Sequence, residues 1–334
     1  MRNFLYSICH YTKANDIVLK SQGGRALILC YHRIMPEEYL LSNPTMNGIF
    51  VSKEAFSTHI NWLKKNFTIL SLKDLMFKIK GEEKFHGHLC AITFDDGWYD
   101  NFEYAFPVLE KARVPATVFL IGDNIGTNRL SCWDLCFEIV HEHEKAELIT
   151  TGITMIDELF RQKSADKKRK AQIINQALRK LSFKEFSEIS DNLKKIYNTQ
   201  CKGERKNNYR FLDWQQIRKM QSAGIDFAYH SKQHFILTKL PKNMIKEQVK
   251  LPVKKAYEHG VNLKNIFCYP DGQYNAEIKK VLYELKYNGA VSLNRGYNSH
   301  GFDPFELKRV NIHQDIADPL PVFTVNLGIK MINK

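Results

Sequence analysis

Leu89-Cys90-Ala91-Ile92-Thr93-Phe94-Asp95-Asp96-Gly97 runs through six uncharged residues and then stops at two carboxylates and a glycine. A short run of this kind, ended by turn residues, predicts a buried strand. Downstream, Phe102, Ala105, Phe106, Leu109 and Ala112 recur at helical spacing, and Ala116-Thr117-Val118-Phe119-Leu120-Ile121 predicts another strand, ended by Gly122. Strand, helix, strand at this spacing is a βαβ unit and implies a parallel sheet. Upstream, Leu27-Ile28-Leu29-Cys30-Tyr31-His32 predicts a further buried strand, and Phe56, Ile60 and Leu63 mark the helix after it.

Residues 129–210 break this rhythm. Ile173, Ile174, Ala177, Leu178 and Leu181 share one face of a predicted helix. The capping box Ser182-Phe183-Lys184-Glu185 opens a second, which carries Phe186, Ile189, Leu193 and Ile196. Afterwards Asp213 caps a helix ending at Gly224, and strands are predicted at 225–229, 266–269 and 290–293. A helix over 276–287 separates the last two. A barrel or a wound sheet, α/β in class, with one inserted helical subdomain fits this order. The domains expected are an N-terminal basic segment (1–25), a barrel (26–128 and 211–320), the insertion (129–210) and a C-terminal tail (321–334).

The 334 residues carry a net charge of +13, and residues 161–210 hold 15 Lys/Arg against 5 Asp/Glu. That stretch therefore supplies +10 of the excess. It suits an anionic membrane or glycan surface, or simply a solvated helical face, and lacks a nucleic-acid motif. No apolar run approaches the roughly 20 residues that span a bilayer. Met1-Arg2-Asn3-Phe4-Leu5-Tyr6-Ser7-Ile8-Cys9-His10 lacks the pattern of a secretory signal. The seven scattered cysteines include no C-x-x-C pair, which suits free thiols in a reducing compartment. A cytoplasmic protein, peripheral to the inner face of the membrane, is the expectation.

Parallel α/β folds place their sites at the carboxyl ends of strands. Three such ends carry unusual chemistry here. Asp95 and Asp96 are adjacent, so in extended chain one can bind a metal while the other stays a base; as Asp-Asp-Gly they also make an ordinary turn. His230-Ser231-Lys232-Gln233-His234 brings two imidazoles onto one face if it turns helically. Phe267-Cys268-Tyr269-Pro270-Asp271-Gly272 predicts a tight turn. Asp96, His230 and His234 together give two nitrogens and one carboxylate, the three protein ligands that a catalytic zinc needs. The pairs His86/His88 and His141/His143 lie in polar surroundings and are read as unrelated to the site.

The order TFDDG, HSKQH, YPDG, with Pro115-Ala116-Thr117-Val118-Phe119 and Phe211-Leu212-Asp213-Trp214 beside it, resembles the polysaccharide deacetylase family, the NodB-homology or carbohydrate esterase family 4 group. The resemblance runs from Leu27 to about Gln314 and implies a distorted, seven-stranded (β/α) barrel. It implies Asp95 as general base, a divalent metal such as zinc on Asp96, His230 and His234, and Ser231 as a brace between the histidines. Tyr269 and Asp271 become substrate-binding, Asp271 through its backbone N–H, and His313 becomes the general acid. Two departures stand out: Cys268 occupies the place of the family's arginine, which pairs with the base, and Asp271 the place of an aromatic. Arg295 is the substitute looked to for that charge.

What the resemblance implies is removal of an N-acetyl group from an amino sugar in a surface-glycan pathway, the substrate being an N-acetylated glycan that is carrier-linked or free. Two other functions fit less of the pattern: a glycan-binding module on an inactivated fold, and an amidase for a small non-sugar amide.

Overall fold

The computed structural model describes residues 6–7, 23–81, 84–143, 149–201 and 206–328. Most of the N-terminal basic segment lies outside the described residues. The chain divides into two compact units: residues 1–39, 48–126 and 211–334 form one, and residues 40–47 with 127–210 form the other.

The first unit holds eleven described strands: β1 (Arg25–Tyr31), β2 (Arg33–Met35), β3 (Phe50–Ser52), β4 (Thr68–Ile69), β5 (His88–Phe94), β6 (Thr117–Leu120), β7 (Asp226–Tyr229), β8 (Leu263–Cys268), β9 (Gly289–Val291), β10 (Asn298–Ser299) and β11 (Val310–Asn311). Seven run parallel, in the order β11-β1-β5-β6-β7-β8-β9. This is the seven-stranded parallel sheet expected of a distorted (β/α) barrel. Short β10 and β4 flank it, and β2 pairs with β3 apart from it. The segment leading into β11 bridges to β9 through Leu307, opposite Val291, before Val310 and Asn311 reach β1. One stretch of five residues thus touches both ends of the strand order.

Strand side chains alternate between two faces. Ala26, Ile28, Ala91, Ala228, Ile266 and Cys268 gather in one buried cluster with the helix Leu72–Lys80. Leu27, Leu29, Cys90, Ile92, Phe94 and Phe227 gather in another with the helix Lys53–Asn66. The same parity puts Cys30, Thr93, Asp95, His230 and Arg309 on the face of the first cluster, at the carboxyl ends of their strands.

The described part of the C-terminal segment, up to residue 328, packs into the core. Leu320–Leu327 is a buried helix, and Phe323 stacks on His59 with ring centroids 3.9 Å apart. Pro321 to Leu327 are all buried, Thr324 and Asn326 included, so this helix is covered on every side rather than amphipathic.

The second unit is helical, as its periodicity predicts. Its helices are Cys132–Glu142, Thr154–Arg161, Lys167–Leu178 and Phe183–Gln200. Both hydrogen bonds of the Ser182/Glu185 capping box form. Ile139, Ile156, Phe160, Ile174, Ile189 and Leu193 build its core. Ile173 departs from the reading, being 41% exposed. It lies one residue, about 100°, round the helix from Ile174, which takes the core position.

Candidate active site

Asp95 follows directly on β5, with its backbone N–H donating to Tyr31 O at 2.9 Å. Its carboxylate is buried and gripped by Arg309, with Nη1 donating to Oδ1 at 2.7 Å and Nη2 to Oδ2 at 2.7 Å. Arg309 is also buried, and fixes its guanidinium by donating from Nε to Ser292 O at 2.8 Å. Burial alone would raise the Asp95 pKa. The charge and hydrogen bonds of Arg309, with smaller pulls from His230 and His32, reverse this and hold the carboxyl well below the usual carboxylate range.

Arg309 therefore supplies the charge that the sequence lacks at position 268. Arg295, the substitute considered, instead donates from Nη2 to Asn326 O at 2.6 Å. Cys268, small and 3.1 Å from Arg309 Nη2, leaves the space that the guanidinium fills. Cys30 and Cys268 both direct Sγ at Asp95 Oδ2, at 3.3 and 3.4 Å.

Asp96 turns away from Asp95 because its backbone is left-handed, with φ 74°, and not extended as the sequence reading assumed. Trp98 Nε1 donates to Asp96 Oδ2 at 3.0 Å. Trp98 itself is held between Phe211, stacked at 4.2 Å, and the Arg33 guanidinium, 4.5 Å from the ring centroid. The other oxygen, Asp96 Oδ1, is buried with no hydrogen-bond partner. It lies 3.5 Å from His230 Nε2 and 3.5 Å from His234 Nε2, and those two nitrogens are 3.2 Å apart.

The histidines meet through a loop and not through a helical turn. Ser231 and His234 are left-handed, with φ 65° and 60°, and Ser231 Oγ accepts the His234 backbone N–H at 2.9 Å. His230 Nδ1 donates to Cys268 O at 2.8 Å. That bond fixes the tautomer and leaves the Nε2 lone pair facing Asp96. Burial lowers the His230 pKa to about 3, with Asp95 pulling the other way, so the ring is a neutral donor.

The three atoms fit a divalent cation on two counts. Two imidazole nitrogens and a carboxylate oxygen lie within 4.8 Å of one another, and the otherwise unpartnered buried Asp96 Oδ1 acquires a partner.

The remaining sequence-derived residues are placed as follows. Asp271 is left-handed, with φ 54°, in the turn after β8, and accepts from Gln273 Nε2 at 2.9 Å. Tyr269 is buried and donates its hydroxyl to Phe305 O at 2.9 Å. The His313 ring is partnered by Asp315, with Nδ1 and Oδ2 3.2 Å apart. His141 donates to Phe137 O and His143 bonds Gln200, so both have protein partners. His32, which the sequence reading noted only as a strand end, stands with Nε2 3.9 Å from Asp95 Oδ2 and its side chain 12% exposed. Its signal was parity: it lies two residues beyond inward-facing Cys30.

The parallel sheet thus carries a carboxylate and two histidines, with an arginine-clamped second carboxylate beside them, at the carboxyl ends of its strands. The polysaccharide deacetylase family model matches residues 82–290, and the chain belongs to that family. It is 32% identical over 144 residues to the poly-beta-1,6-N-acetyl-D-glucosamine N-deacetylase of Staphylococcus aureus (strain MSSA476), across 40% of this chain and 48% of that one. The chain thus spans half or less of the length of such curated relatives. Two solved structures share the fold. The Streptococcus pyogenes deacetylase PplD, in complex with acetate, aligns with TM-score 0.56 and 18% identity, covering 90% of this chain and 97% of its own. IcaB from Ammonifex degensii gives 0.57 and 17%, with the same coverage.

Proposed function

We propose that the chain hydrolyses the acetamide of an N-acetylated amino sugar in a glycan, releasing acetate and the free amine. The observation that carries this is the division of labour between adjacent aspartates: Asp96 with an unpartnered oxygen facing two histidines, Asp95 locked on Arg309. A divalent metal on Asp96, His230 and His234, zinc first among candidates, would polarise the acetamide carbonyl and acidify a water. Asp95 accepts the water's proton. Arg309 keeps Asp95 ionised and oriented, and the role assigned to the backbone N–H of Asp271 is to hold the growing oxyanion.

The leaving amine needs a proton. His32 suits this task better than His313, because it is a partly open imidazole within 3.9 Å of the base carboxylate. A poly-N-acetylglucosamine is the first substrate to try, in view of the named S. aureus relative. The binding-module alternative drew its support from the missing arginine, and Arg309 removes that support.

The test is acetate release from N-acetylated oligosaccharides with metal analysis of the purified protein. Asp95→Asn should keep the metal and lose roughly 10²–10⁴-fold in rate, the usual worth of a positioned base. Asp96→Ala should lose metal and activity together. Equal rates in Asp95→Asn and the parent would show that the base is misassigned. His32→Gln against His313→Gln decides the acid: the larger fall in kcat marks it.

For location, the proposal is the cytoplasm or the inner membrane surface, supported by the basic helical unit. Among the described residues no helix is long and apolar enough to cross a membrane. A high-salt wash should release any membrane-bound fraction, and recovery only outside the cell overturns this.

A further inference from the structure

A glutamine occupies a core position of the helix Lys242–Val249. This helix buries Ile245, Gln248 and Val249, the i, i+3, i+4 stripe that an apolar face would fill. Gln248 is 3% exposed, so its amide has left water and needs partners in the protein. It finds them on the loop between the two histidines. Its Oε1 accepts the Gln233 N–H at 3.1 Å, and its Nε2 donates to Gln233 Oε1 at 2.8 Å. Its backbone carbonyl, one of the last four of the helix and so unpartnered within it, accepts the Lys232 N–H at 2.8 Å. From the other side, the Gly122 and Asp123 N–H groups donate to Ser231 O and Lys232 O at 3.0 and 2.9 Å.

We propose that Gln248 is a positioning residue, which sets the spacing of His230 and His234 by clamping the two amides that precede His234. The proposal rests on the metal reading of Asp96, His230 and His234, and not on the choice of substrate. The His230 ring is tied directly to β8 through Cys268 O. His234 reaches the centre by way of the loop, whose Ser231 and His234 are left-handed and therefore costly unless their surroundings hold them. Ser231 Oγ makes its bond within the loop, whereas Gln248 holds the loop from another element, 15 positions beyond Gln233. The two Nε2 atoms are 3.2 Å apart and each is 3.5 Å from Asp96 Oδ1, so a small rotation at Gln233 swings the second imidazole out of the group. Packing does not explain the residue, because methionine or leucine fills such a space with no amide to satisfy. The neighbouring ion pair, Lys232 Nζ to Glu247 Oε1 at 2.8 Å, is exposed and contributes little to holding the loop.

The test compares metal binding by the full chain and its variants. Zn²⁺ affinity is read by competition with a chromogenic chelator, the shape of the site by the visible bands of Co²⁺, and the metal-free fold by thermal melting. Gln248→Met keeps the length of the side chain and loses both of its bonds. It should bind Zn²⁺ roughly 10–100-fold more weakly, the usual effect of removing a supporting partner, with shifted Co²⁺ bands. Gln233→Ala should lose at least about threefold, what a hydrogen bond near the low end of the usual range is worth. Since both act through one contact, the double variant should bind about as weakly as Gln248→Met alone. Glu247→Gln should bind as the parent does. Unchanged affinity and bands in folded Gln248→Met, even with a lower melting temperature, overturn the proposal and leave Gln248 a packing residue. Losses that add in the double variant overturn the route through Gln233. If Gln248→Met does not fold, Gln233→Ala decides, since its side chain is exposed, and unchanged affinity there overturns the clamp. A parent that binds neither ion overturns the proposal together with the metal reading. A parent that binds metal and releases no acetate overturns the deacetylase reading alone.

Discussion

Arg309 spends its whole guanidinium inside the protein: both oxygens of Asp95, Ser292 O, Thr93 Oγ1 and the Cys268 sulfur lie within 3.1 Å of it. Breaking a buried ion pair by removing one partner leaves an uncompensated charge, which typically costs about 3–5 kcal/mol. Arg309→Met should therefore lower stability by that order in urea denaturation, and acetate release should fall with it. Arg309→Lys should recover part of the stability but little of the rate, since an ammonium cannot grip both oxygens in one plane. Undiminished stability in Arg309→Met would show that the pair does not bear on the fold. Asp95, Asp96, His230 and His234 were legible in the sequence because their motifs are local and ordered. Arg309 was not, because its partner lies 214 positions away and only strand parity relates them. His32 was missed for the same reason, standing 63 positions before Asp95.

At the scale of elements, six of the seven parallel strands of the first unit were readable from apolar runs and turn residues, whereas the short β11, the buried helix Leu320–Leu327 and the turns that aim the site were not. Asp96, Ser231, His234 and Asp271 are all non-glycine residues with positive φ. Each such residue costs of order 1–3 kcal/mol and signals a backbone held by its surroundings. Propensity predicts neither the conformation nor its clustering. Two glycines hold these turns: Gly97 has φ 77° and an added Cβ would lie 2.7 Å from Leu120 Cδ2, and Gly272 has φ 69° and an added Cβ would lie 2.6 Å from Leu293 N. Gly97→Ala should cost at least about 1 kcal/mol and weaken metal binding, because it moves the turn that carries Asp96. Normal metal affinity in a folded Gly97→Ala protein would mean that the turn tolerates the shift. Ser231→Ala removes the bond to the His234 N–H. A loss near 1 kcal/mol is expected, with weaker metal retention on dialysis and little change in secondary structure.

For the whole molecule, acid lability has an identifiable source. His59 lies buried against Phe323, with Nε2 donating to Ala317 O at 2.7 Å and the Tyr31 hydroxyl donating to Nδ1 at 3.2 Å. Burial lowers its pKa to about 4 from an ordinary 6.5. Between those values the unfolded chain holds more protons than the folded one, so stability falls as pH drops from 6.5 towards 4. At about 1.4 kcal/mol per pH unit the loss approaches 3 kcal/mol. Urea midpoints from pH 7 to 4.5 should show it, and His59→Gln should flatten the curve over that range. Asp95, held low by Arg309, gives up its stabilisation only at more acid pH. Equal slopes in parent and variant would place the lability elsewhere.

Both units carry their own core, and Gly126 N–H bonds Leu212 O at 2.9 Å across the points where the chain leaves and re-enters the first unit. Replacing residues 128–209 with a short Gly/Ser linker should leave a cooperatively melting first unit, measured by circular dichroism.

The pairing of Asp95 with a residue on the segment that reaches both β9 and β1 has a consequence for biosynthesis. A ribosome has delivered β5, both histidines and the β8 turn before it translates codon 309. Until then Asp95 has no counter-charge, so burying it would leave a charge uncompensated. A chain that stops short of Arg309 would leave the Asp95 carboxylate unpaired and lack the strand that joins β1.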